Sequence, residues 1–386
     1  MHPTTPCGLY VHVPFCSSRC TYCAFVSESF EETKAEAYVQ ALIHEVNLWG
    51  AGGDSEISAA GIPFDTLYLG GGTPSLLAAS QIERLLGACF QRFVWHGSPE
   101  ITIEVNPGSC NRQWLKDMLS LGINRMSLGA QSFNDQELRK LGRPHDARAI
   151  LRTFDDMRAV GVCNISLDLI AGFPGHSISG FEQSLQTAVF LAPEHMSMYL
   201  FELKEGSPIN NLIARGQEQP PDEDLAADLY LLCCDFLARH GYVQYEISNF
   251  SREGYECRHN MKYWRDDDYL GVGAGAHGLI RDRRYWNMGD VEAYLNCLTE
   301  GALPLEHVYR MQGQDRFREA MIMGARLVKG LDLGFLGGKY HVDAHAFVSE
   351  TLCDLEGLGL FEIDGDVFRL TEKGRMLSNQ IFCRWV

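Results

Sequence analysis

Three cysteines close to the start of the chain have a spacing that could do chemistry. Cys16, Cys20 and Cys23, in the run PFCSSRCTYC, could bind three irons of a single iron-sulfur cluster. A 4Fe-4S cube normally takes four thiolates, and the next candidate position nearby holds Phe25 rather than cysteine. The spacing therefore predicts a cluster whose fourth iron is left open.

An open iron in an electron-rich cube can chelate the amino and carboxylate groups of S-adenosylmethionine and split it reductively to a 5'-deoxyadenosyl radical. The cluster and its ligand would carry that chemistry, and the protein would supply orientation and shielding. Two simpler interpretations stay open: a zinc site and three unrelated buried thiols. Structural zinc usually takes paired knuckles of cysteine or histidine, and no second knuckle follows these cysteines.

Composition limits the class of protein. With 386 residues the chain exceeds one typical core, so we expect a large domain and a smaller one. A net charge of -17 disfavours a general nucleic-acid binder. Thirteen scattered cysteines indicate a reducing compartment, and we expect a cytoplasmic protein. Neither a run of eighteen apolar residues nor a signal-peptide pattern is found, so no membrane segment is expected.

Six short runs rich in β-forming residues alternate with helical patterns between residues 9 and 203. This alternation of strand and helix patterns is typical of parallel strands joined by crossover helices, and it predicts an α/β fold. Six units, rather than the eight of a closed barrel, predict an open, partial (β/α)6 TIM-like barrel. The expected strands are Leu9–Val13, Phe64–Leu69, Ile101–Val105, Arg125–Gly129, Asn164–Ile170 and His195–Leu203. The expected helices are Glu32–Leu48, Ser80–Phe93, Arg112–Leu121, Ala147–Val160 and Ile178–Leu191.

Polar and glycine-rich residues lie at or near the carboxyl ends of the first five strands. In barrels of this kind chemistry occurs at that end of the sheet. The residues concerned are Cys16, the run GGGTP at 70–74, Glu104, Gln131 and Asp168. We therefore expect them to share one rim.

The rest of the chain predicts two further parts. Residues 1–241 would form the barrel core, and residues 242–300 a segment rich in aromatics and glycine that packs on it. Residues 301–386 contain two helical patterns and a hairpin signal at Asp364 and Gly365, which predict a small α+β, winged-helix-like domain. We expect partner docking or packing, rather than DNA binding, from this last part.

The motifs resemble those of a known family. The run Tyr10-x-His12-x-Pro14-Phe15-Cys16-x3-Cys20-x-Tyr22-Cys23 is similar to the signature of the radical S-adenosylmethionine superfamily, specifically the branch around oxygen-independent coproporphyrinogen III oxidase. The resemblance extends over almost the whole chain, through GGGTPS, TIEVNPG, RMSLGAQSF, LGRPHD, DLIAGFPG and YEISNF.

The resemblance implies site residues. It implies that Cys16, Cys20 and Cys23 bind the cluster. It also implies the following S-adenosylmethionine contacts: Tyr10, the loop residues Gly71, Gly72 and Thr73, the ribose-binding Glu104, and Gln131, Arg143 and Asp168. For each polar residue alone, a solvated rim or a buried ion pair is an ordinary alternative, and Arg143 could instead cap a helix. His12 is either near the site or a core histidine with its hydrogen bonds satisfied.

Two departures from the oxidase pattern select a branch. Phe25 replaces the fourth cysteine of that enzyme's motif, and only fifteen residues precede Cys16, where the oxidase has a longer extension. Both features resemble the HemW branch of haem chaperones, and the run from His259 to Trp264 matches its HNxxYW motif. The branch implies haem as cargo, and we expect His259 to contact it. The alternative for Tyr263 and Trp264 is packing of the loop onto the barrel.

The resemblance thus implies a haem-binding chaperone with a 4Fe-4S cluster and S-adenosylmethionine. It would deliver haem to an acceptor haemoprotein such as a respiratory enzyme. The resemblance is compatible with a homodimer and with an acceptor close to a membrane. Whether it is also an enzyme stays open. One alternative is the oxidative decarboxylation of coproporphyrinogen III to protoporphyrinogen IX, and another is a related radical enzyme that methylates or opens haem.

Overall fold

A mixed sheet of twelve strands forms the centre of the part of the chain that the structure describes. The structure is a computed structural model, and it describes residues 5–52, 57–204 and 206–386. Seven neighbouring strands are parallel: β1 Cys7–Val13, β2 Pro63–Gly71, β3 Val94–Val105, β4 Arg125–Gln131, β5 Ile165–Ala171, β6 His195–Leu200 and β7 Tyr269–Val272. Their spatial order is β7-β1-β2-β3-β4-β5-β6, and the sheet stays open. All six predicted strands are confirmed.

Helices connect the parallel strands, as the sequence predicts. They are Glu32–Gly50, Ala79–Arg92, Arg112–Ser120, Asp135–Lys140, Ala147–Val160 and Ile178–Leu191, with Pro208–Ala214 and Glu223–Arg239 after β6. Ala147–Val160 shows why such segments are helical. Asp146 accepts a hydrogen bond from the backbone N–H of Ala149 at its start, and Gly161 ends it with a φ of 100°.

The two faces of the parallel strands differ in polarity. In β3, Ile101 and Ile103 are buried towards the helices, whereas Thr102 and Glu104 alternate with them and face the inside of the open barrel. β5 repeats the pattern, because Leu167 and Leu169 alternate with polar Ser166 and Asp168. Burial of the apolar face fixes the register of each strand, so the polar side chains must line the inside.

Antiparallel strands extend the sheet on both sides. Next to β6 lie Asn249–Ser251 and Val243–Glu246, and next to β7 lie His277–Ile280, Arg283–Asn287 and Leu305–Arg310. Residues 242–300 therefore contribute strands to the sheet itself, where we expected a segment rich in aromatics and glycine that packs on the barrel. The glycines of this part permit close packing: a Cβ on Gly278 would lie 2.1 Å from the ring of Tyr285. Two helices, Arg258–Trp264 and Val291–Thr299, complete this part.

The C-terminal part has its own core, which includes Phe317, Phe368 and Trp385. Its elements are Gln314–Gly324, Leu331–Asp332, Leu333–Tyr340, Ala344–Leu352, Phe361–Asp364, Val367–Leu370, Glu372–Met376 and Ser378–Trp385. The three short strands form an antiparallel sheet, and Gly365 turns between the last two with a φ of 59°. This helix-strand-helix-helix-hairpin order is that of a winged helix.

Buried charges join the C-terminal part to the sheet. Asp266, which follows the Arg258–Trp264 helix, forms ion pairs with Arg316 at 2.7 Å and Lys339 at 2.8 Å. On the other side, Arg326 lies 3.4 Å from the buried carboxylate of Glu246. Across the described ranges, no helix is both long enough and apolar enough to cross a membrane.

Candidate functional site

The three cysteines lie on one partly exposed loop that follows β1. Thr73 Oγ1 lies 3.7 Å from Cys16 Sγ, and a guanidinium nitrogen of Arg143 lies 3.3 Å from Cys20 Sγ. Burial raises the pKa of the Cys16 and Cys23 thiols, and hydrogen bonds from Thr73 and from the backbone of Phe25 oppose this rise. The Phe25 side chain is 65% exposed beside the loop.

The glycine-rich loop after β2 packs closely against the cysteine loop. The N–H of Gly72 donates a hydrogen bond to the carbonyl of Val13 at 2.8 Å, and a Cβ on Gly72 would lie 2.7 Å from the carbonyl oxygen of Phe15. Gly71 has a φ of 114°, and a Cβ there would lie 2.5 Å from the ring of His12. Only glycine permits this approach of the two loops.

Tyr10 and His12 lie side by side on the inner face of β1. The Tyr10 hydroxyl is 3.0 Å from Nδ1 of His12, and Nε2 of His12 lies 3.0 Å from the carbonyl oxygen of Val26. Burial lowers the pKa of His12, so its imidazole is neutral near pH 7. His12 therefore lies beside the cysteine loop and also has a hydrogen-bond partner at each ring nitrogen. Both alternatives given for this residue, a position near the site and a core histidine with satisfied hydrogen bonds, apply together.

Glu104 is held by two donors at the end of β3. Its Oε1 accepts a hydrogen bond from the Tyr68 hydroxyl at 2.9 Å, and its Oε2 accepts one from the Gly71 N–H at 3.0 Å. Burial and the nearby carboxylate of Asp168 raise the pKa of Glu104 to about 7. The carboxyl group is therefore oriented in advance and changes charge near neutral pH.

Arg143 connects the ends of two strands, β3 and β4, to the cysteine loop. It donates hydrogen bonds to the carbonyl of Gly129 at 3.0 Å and to the side chain of Asn106, as well as facing Cys20. Gln131 lies close by, because a Cβ on Gly129 would be 3.0 Å from its Nε2. Gln131 has a φ of 68°, where the pairing of β4 with β5 shifts register. Such a conformation is uncommon in a residue other than glycine and costs conformational energy.

Asp168 lies deeper on β5 and is surrounded by hydroxyl groups. Ser127 donates to its carboxylate at 2.9 Å and Ser166 at 3.3 Å, and Ser197 also bonds to it. Burial raises the pKa of Asp168, and these hydrogen bonds oppose the rise. Asp168 and Glu104 are close enough for their charges to interact.

The structure therefore brings the residues predicted for the cluster and for S-adenosylmethionine to one end of the barrel. The sequence analysis missed their supporting partners Tyr68, Asn106, Ser127, Ser166 and Ser197. The signal that could have found them is alternation: polar residues occupy every second position of runs such as ITIEVN and ISLDL.

His259 lies in the packed layer directly beneath this rim, with its ring centroid 5.3 Å from that of Tyr68 and 6.4 Å from that of Tyr10. Its side chain is 1% exposed, Nδ1 is 2.9 Å from Thr66 Oγ1, and Nε2 is 2.9 Å from the Tyr263 hydroxyl. Burial lowers the pKa of His259 to about 3. Tyr263 packs against a small cluster that includes Tyr269, Leu279 and Met311. Both imidazole nitrogens are therefore engaged, and neither faces a free space in which iron could lie.

The donor set at the rim fits an iron-sulfur cluster. Three thiols share one loop, with hydrogen-bond donors against two of their sulfurs, as cluster thiolates require. Over the described ranges, no three or more His, Cys, Asp or Glu side chains are arranged around a single metal ion. The glycines beside the loop leave a cradle that side chains would fill, and Glu104 faces it: a Cβ on Gly70 would lie 3.1 Å from that carboxyl group.

Comparison with family models agrees with this arrangement. Residues 10–188 match the model of the radical SAM superfamily, and residues 311–377 match that of the HemN C-terminal domain. Coproporphyrinogen III oxidase (HemN) from Escherichia coli, a radical SAM enzyme, has a similar solved structure, with a TM-score of 0.85 and 25% identity over all of this chain and 91% of that one. The fold and the site thus define a radical SAM protein.

Curated relatives narrow the class. The chain is 32% identical to the heme chaperone HemW of Bacillus subtilis over 97% of both chains. It is 33% identical to the heme chaperone HemW of Lactococcus lactis over 98% of this chain and 96% of the relative. The chain belongs to the HemW family.

Proposed function

We propose that this protein is a haem chaperone that carries a 4Fe-4S cluster and S-adenosylmethionine, binds haem and transfers it to an acceptor haemoprotein. The observation that carries the proposal is similarity along almost the whole length of both chains to a curated heme chaperone. A match confined to the barrel would support only the superfamily.

The cluster would be held by Cys16, Cys20 and Cys23. When bound, it supplies an open iron that can chelate the amino and carboxylate groups of S-adenosylmethionine. The chain's own residues would hold the rest of that ligand. The contacts that we propose are Tyr10, Gly71, Gly72, Thr73, Glu104, Gln131, Arg143 and Asp168.

Each proposed contact has a physical role that the geometry supports. Tyr68 and Gly71 orient the carboxylate of Glu104, which can accept hydrogen bonds from a ribose diol. Arg143 fixes the cysteine loop relative to β3 and β4, so the ligand and the cluster would keep a constant separation. The close approach of Gly72 to the cysteine loop excludes side chains from the space between them.

The partners and the organisation are part of the same proposal. An acceptor such as a respiratory enzyme, a homodimer and a membrane-proximal acceptor are suggested by the resemblance, and a cytoplasmic location is suggested by the scattered cysteines. Haem contact at His259 stays a prediction, and it would require the Arg258–Trp264 helix to leave its buried place. The division into 1–241, 242–300 and 301–386 also stays a proposal; the separate core of the last part supports its second boundary.

The alternative function is conversion of coproporphyrinogen III to protoporphyrinogen IX. Structural similarity to HemN over the whole chain is the observation in its favour. Phe25, at the position of the oxidase's additional cysteine, favours the chaperone.

The test is anaerobic reconstitution of the purified chain, followed by two parallel assays. One measures haem binding by absorbance, and the other measures protoporphyrinogen formation with S-adenosylmethionine and a reductant. The chaperone proposal expects haem binding without product. Product formation would support the oxidase, and absence of haem binding would contradict the chaperone.

A further inference from the structure

Three rings lie in register across the antiparallel strands next to β7. His277 pairs with Trp286, and Trp286 pairs with His307. The ring centroids of His277 and Trp286 are 5.5 Å apart with an interplanar angle of 27°, and those of Trp286 and His307 are 4.6 Å apart. Tyr309 lies edge-on to Trp286 at 6.0 Å. We call these four residues the ring ladder.

The ring ladder is on the inner face of the sheet. Tyr285, which precedes Trp286, is fully buried on the helix side, 5.2 Å from the ring of Trp49. Because side chains alternate along a strand, Trp286 must face the other way. Leu279, two residues after His277, packs with Tyr263 and Tyr269 inside the barrel, which confirms the direction.

The ring ladder is also at the functional end of the sheet. β7 runs parallel to β1, and His277–Ile280 runs antiparallel to β7, so His277 lies at the end where β1 leads into the cysteine loop. A Cβ on Gly275 would lie 2.7 Å from the side chain of Val26, three residues after Cys23. The ladder therefore continues the rim beside the proposed cluster.

The imidazoles of the ladder differ from that of His259. His277 and His307 are exposed, and within the described residues neither ring makes a hydrogen bond to the protein. The inner part of the His277 ring is nevertheless partly desolvated, and this, with a contribution from the Arg284 charge, lowers the pKa of His277 and favours the neutral imidazole that binds metals. Trp286 stacks on His277 and limits its rotation.

We propose that the ring ladder is a haem-docking surface, on which His277 supplies the axial nitrogen to iron and Trp286 packs against the porphyrin. Histidine is a common axial ligand. An axial imidazole stands upright on the porphyrin, and the Trp286 ring lies within 27° of the His277 ring, so Trp286 would contact the macrocycle through its edge. Three neighbouring strands give a face roughly 10 Å wide, suited to a flat macrocycle. Binding would exchange water for imidazole, with no redox step. The inference rests on the proposed haem-chaperone function and names the cargo site within it.

His277, rather than His307, is the assigned ligand because its strand begins against Val26. Iron bound there would lie next to the cysteine loop, whereas His307 is one strand further out. The competing role for the ladder is stabilisation of the sheet edge by ring stacking alone, and the test separates the two roles.

The experiment titrates the reconstituted full chain with haem and records the Soret band and electron paramagnetic resonance. We expect His277→Ala to weaken haem binding by about tenfold or more and to change the axial-ligand signature. Trp286→Ala should weaken binding about threefold or more while the signature is kept. His277→Tyr should replace the imidazole signature by that of a phenolate. His96→Ala, an exposed histidine at the opposite end of the sheet, is the matched control and should bind like wild type.

Wild-type affinity and signature in His277→Ala would overturn the ring ladder as the cargo site, and a loss confined to His307→Ala would overturn His277 as the ligand. A wild-type chain that binds no haem would instead overturn the proposed function itself. Iron content of the cluster and circular dichroism, measured on each variant, separate loss of the site from loss of the fold.

Discussion

The backbone N–H of Gly71 donates a hydrogen bond to Oε2 of Glu104 over 3.0 Å, so the glycine-rich loop orients the carboxyl group proposed to bind ribose. The first prediction follows from this contact. Gly71→Ala should weaken S-adenosylmethionine binding and destabilise the loop by about 1–3 kcal/mol, because alanine does not tolerate a φ of 114°. Calorimetry of the ligand and thermal unfolding would measure both effects.

Gly87→Ala is the matched control for Gly71. Gly87 lies in the Ala79–Arg92 helix, where a Cβ would meet no atom within 4 Å. Alanine there should leave ligand affinity unchanged and increase stability by up to about 1 kcal/mol. Equal losses in the two variants would contradict a special role for the loop.

The second prediction concerns pH. Because the pKa of Glu104 is raised to about 7, S-adenosylmethionine affinity should rise between pH 6 and pH 8, as the ionised carboxylate becomes the better acceptor. The Glu104 carboxyl group stays protonated to a higher pH in the folded protein than in the unfolded chain. The Glu104 contribution to stability should therefore fall as the pH rises from about 4.5 to 7. Glu104→Gln should reduce both pH dependences; an unchanged affinity profile would contradict the assignment.

The third prediction tests the cluster. Cys20→Ser should lose most of the cluster iron and the brown absorbance after reconstitution. The loop provides only three thiolates, and the proposed cluster requires all of them. Cys163→Ser, at an exposed cysteine outside that loop, should keep both. Full iron content in the Cys20 variant would exclude the proposed ligand set.

The fourth prediction concerns His259 as part of the packed core. His259→Ala should lower the free energy of unfolding by about 1–3 kcal/mol, because Thr66 and the Tyr263 hydroxyl both lose a buried partner. The pKa of His259 in the folded protein, about 3, lies below the ordinary histidine pKa of about 6.5. The contribution of His259 to the free energy of unfolding should therefore be fully present above pH 6.5 and should decline as the pH falls towards 3. Unfolding of the wild-type protein and of the His259→Ala variant at pH 7 and pH 5 would measure this contribution. A variant as stable as wild type at pH 7 would contradict a role of His259 in the packed core.

The fifth prediction concerns attachment of the C-terminal part. Asp266→Asn should destabilise the protein by about 3 kcal/mol, because Arg316 would remain buried without its counter-charge. Asp282→Asn, which removes an exposed pair with Arg310, should cost less than about 1 kcal/mol. Urea unfolding of the two variants would compare them, and equal midpoints would show that the Asp266 pairs add little.

Local patterns in the sequence were sufficient to predict the superfamily, the six crossover units and the residues that share the rim. Cysteine spacing, glycine runs and period-two alternation are local signals, and each strand's apolar face fixes which residues line the barrel. Local signals also located the C-terminal hairpin at Gly365, where the chain needs a positive φ.

The placement of residues 242–300 in the sheet depends on contacts between distant parts of the chain, which local patterns do not contain. The strand Tyr269–Val272 pairs with β1 across more than 250 residues of chain, and no local pattern encodes such a partner. The same long-range pairing buries His259 under Thr66, and it exposes His277 beside the cysteine loop. Whether a histidine is buried in a core or open to a ligand depends on its neighbours in space, which residue type and spacing do not specify.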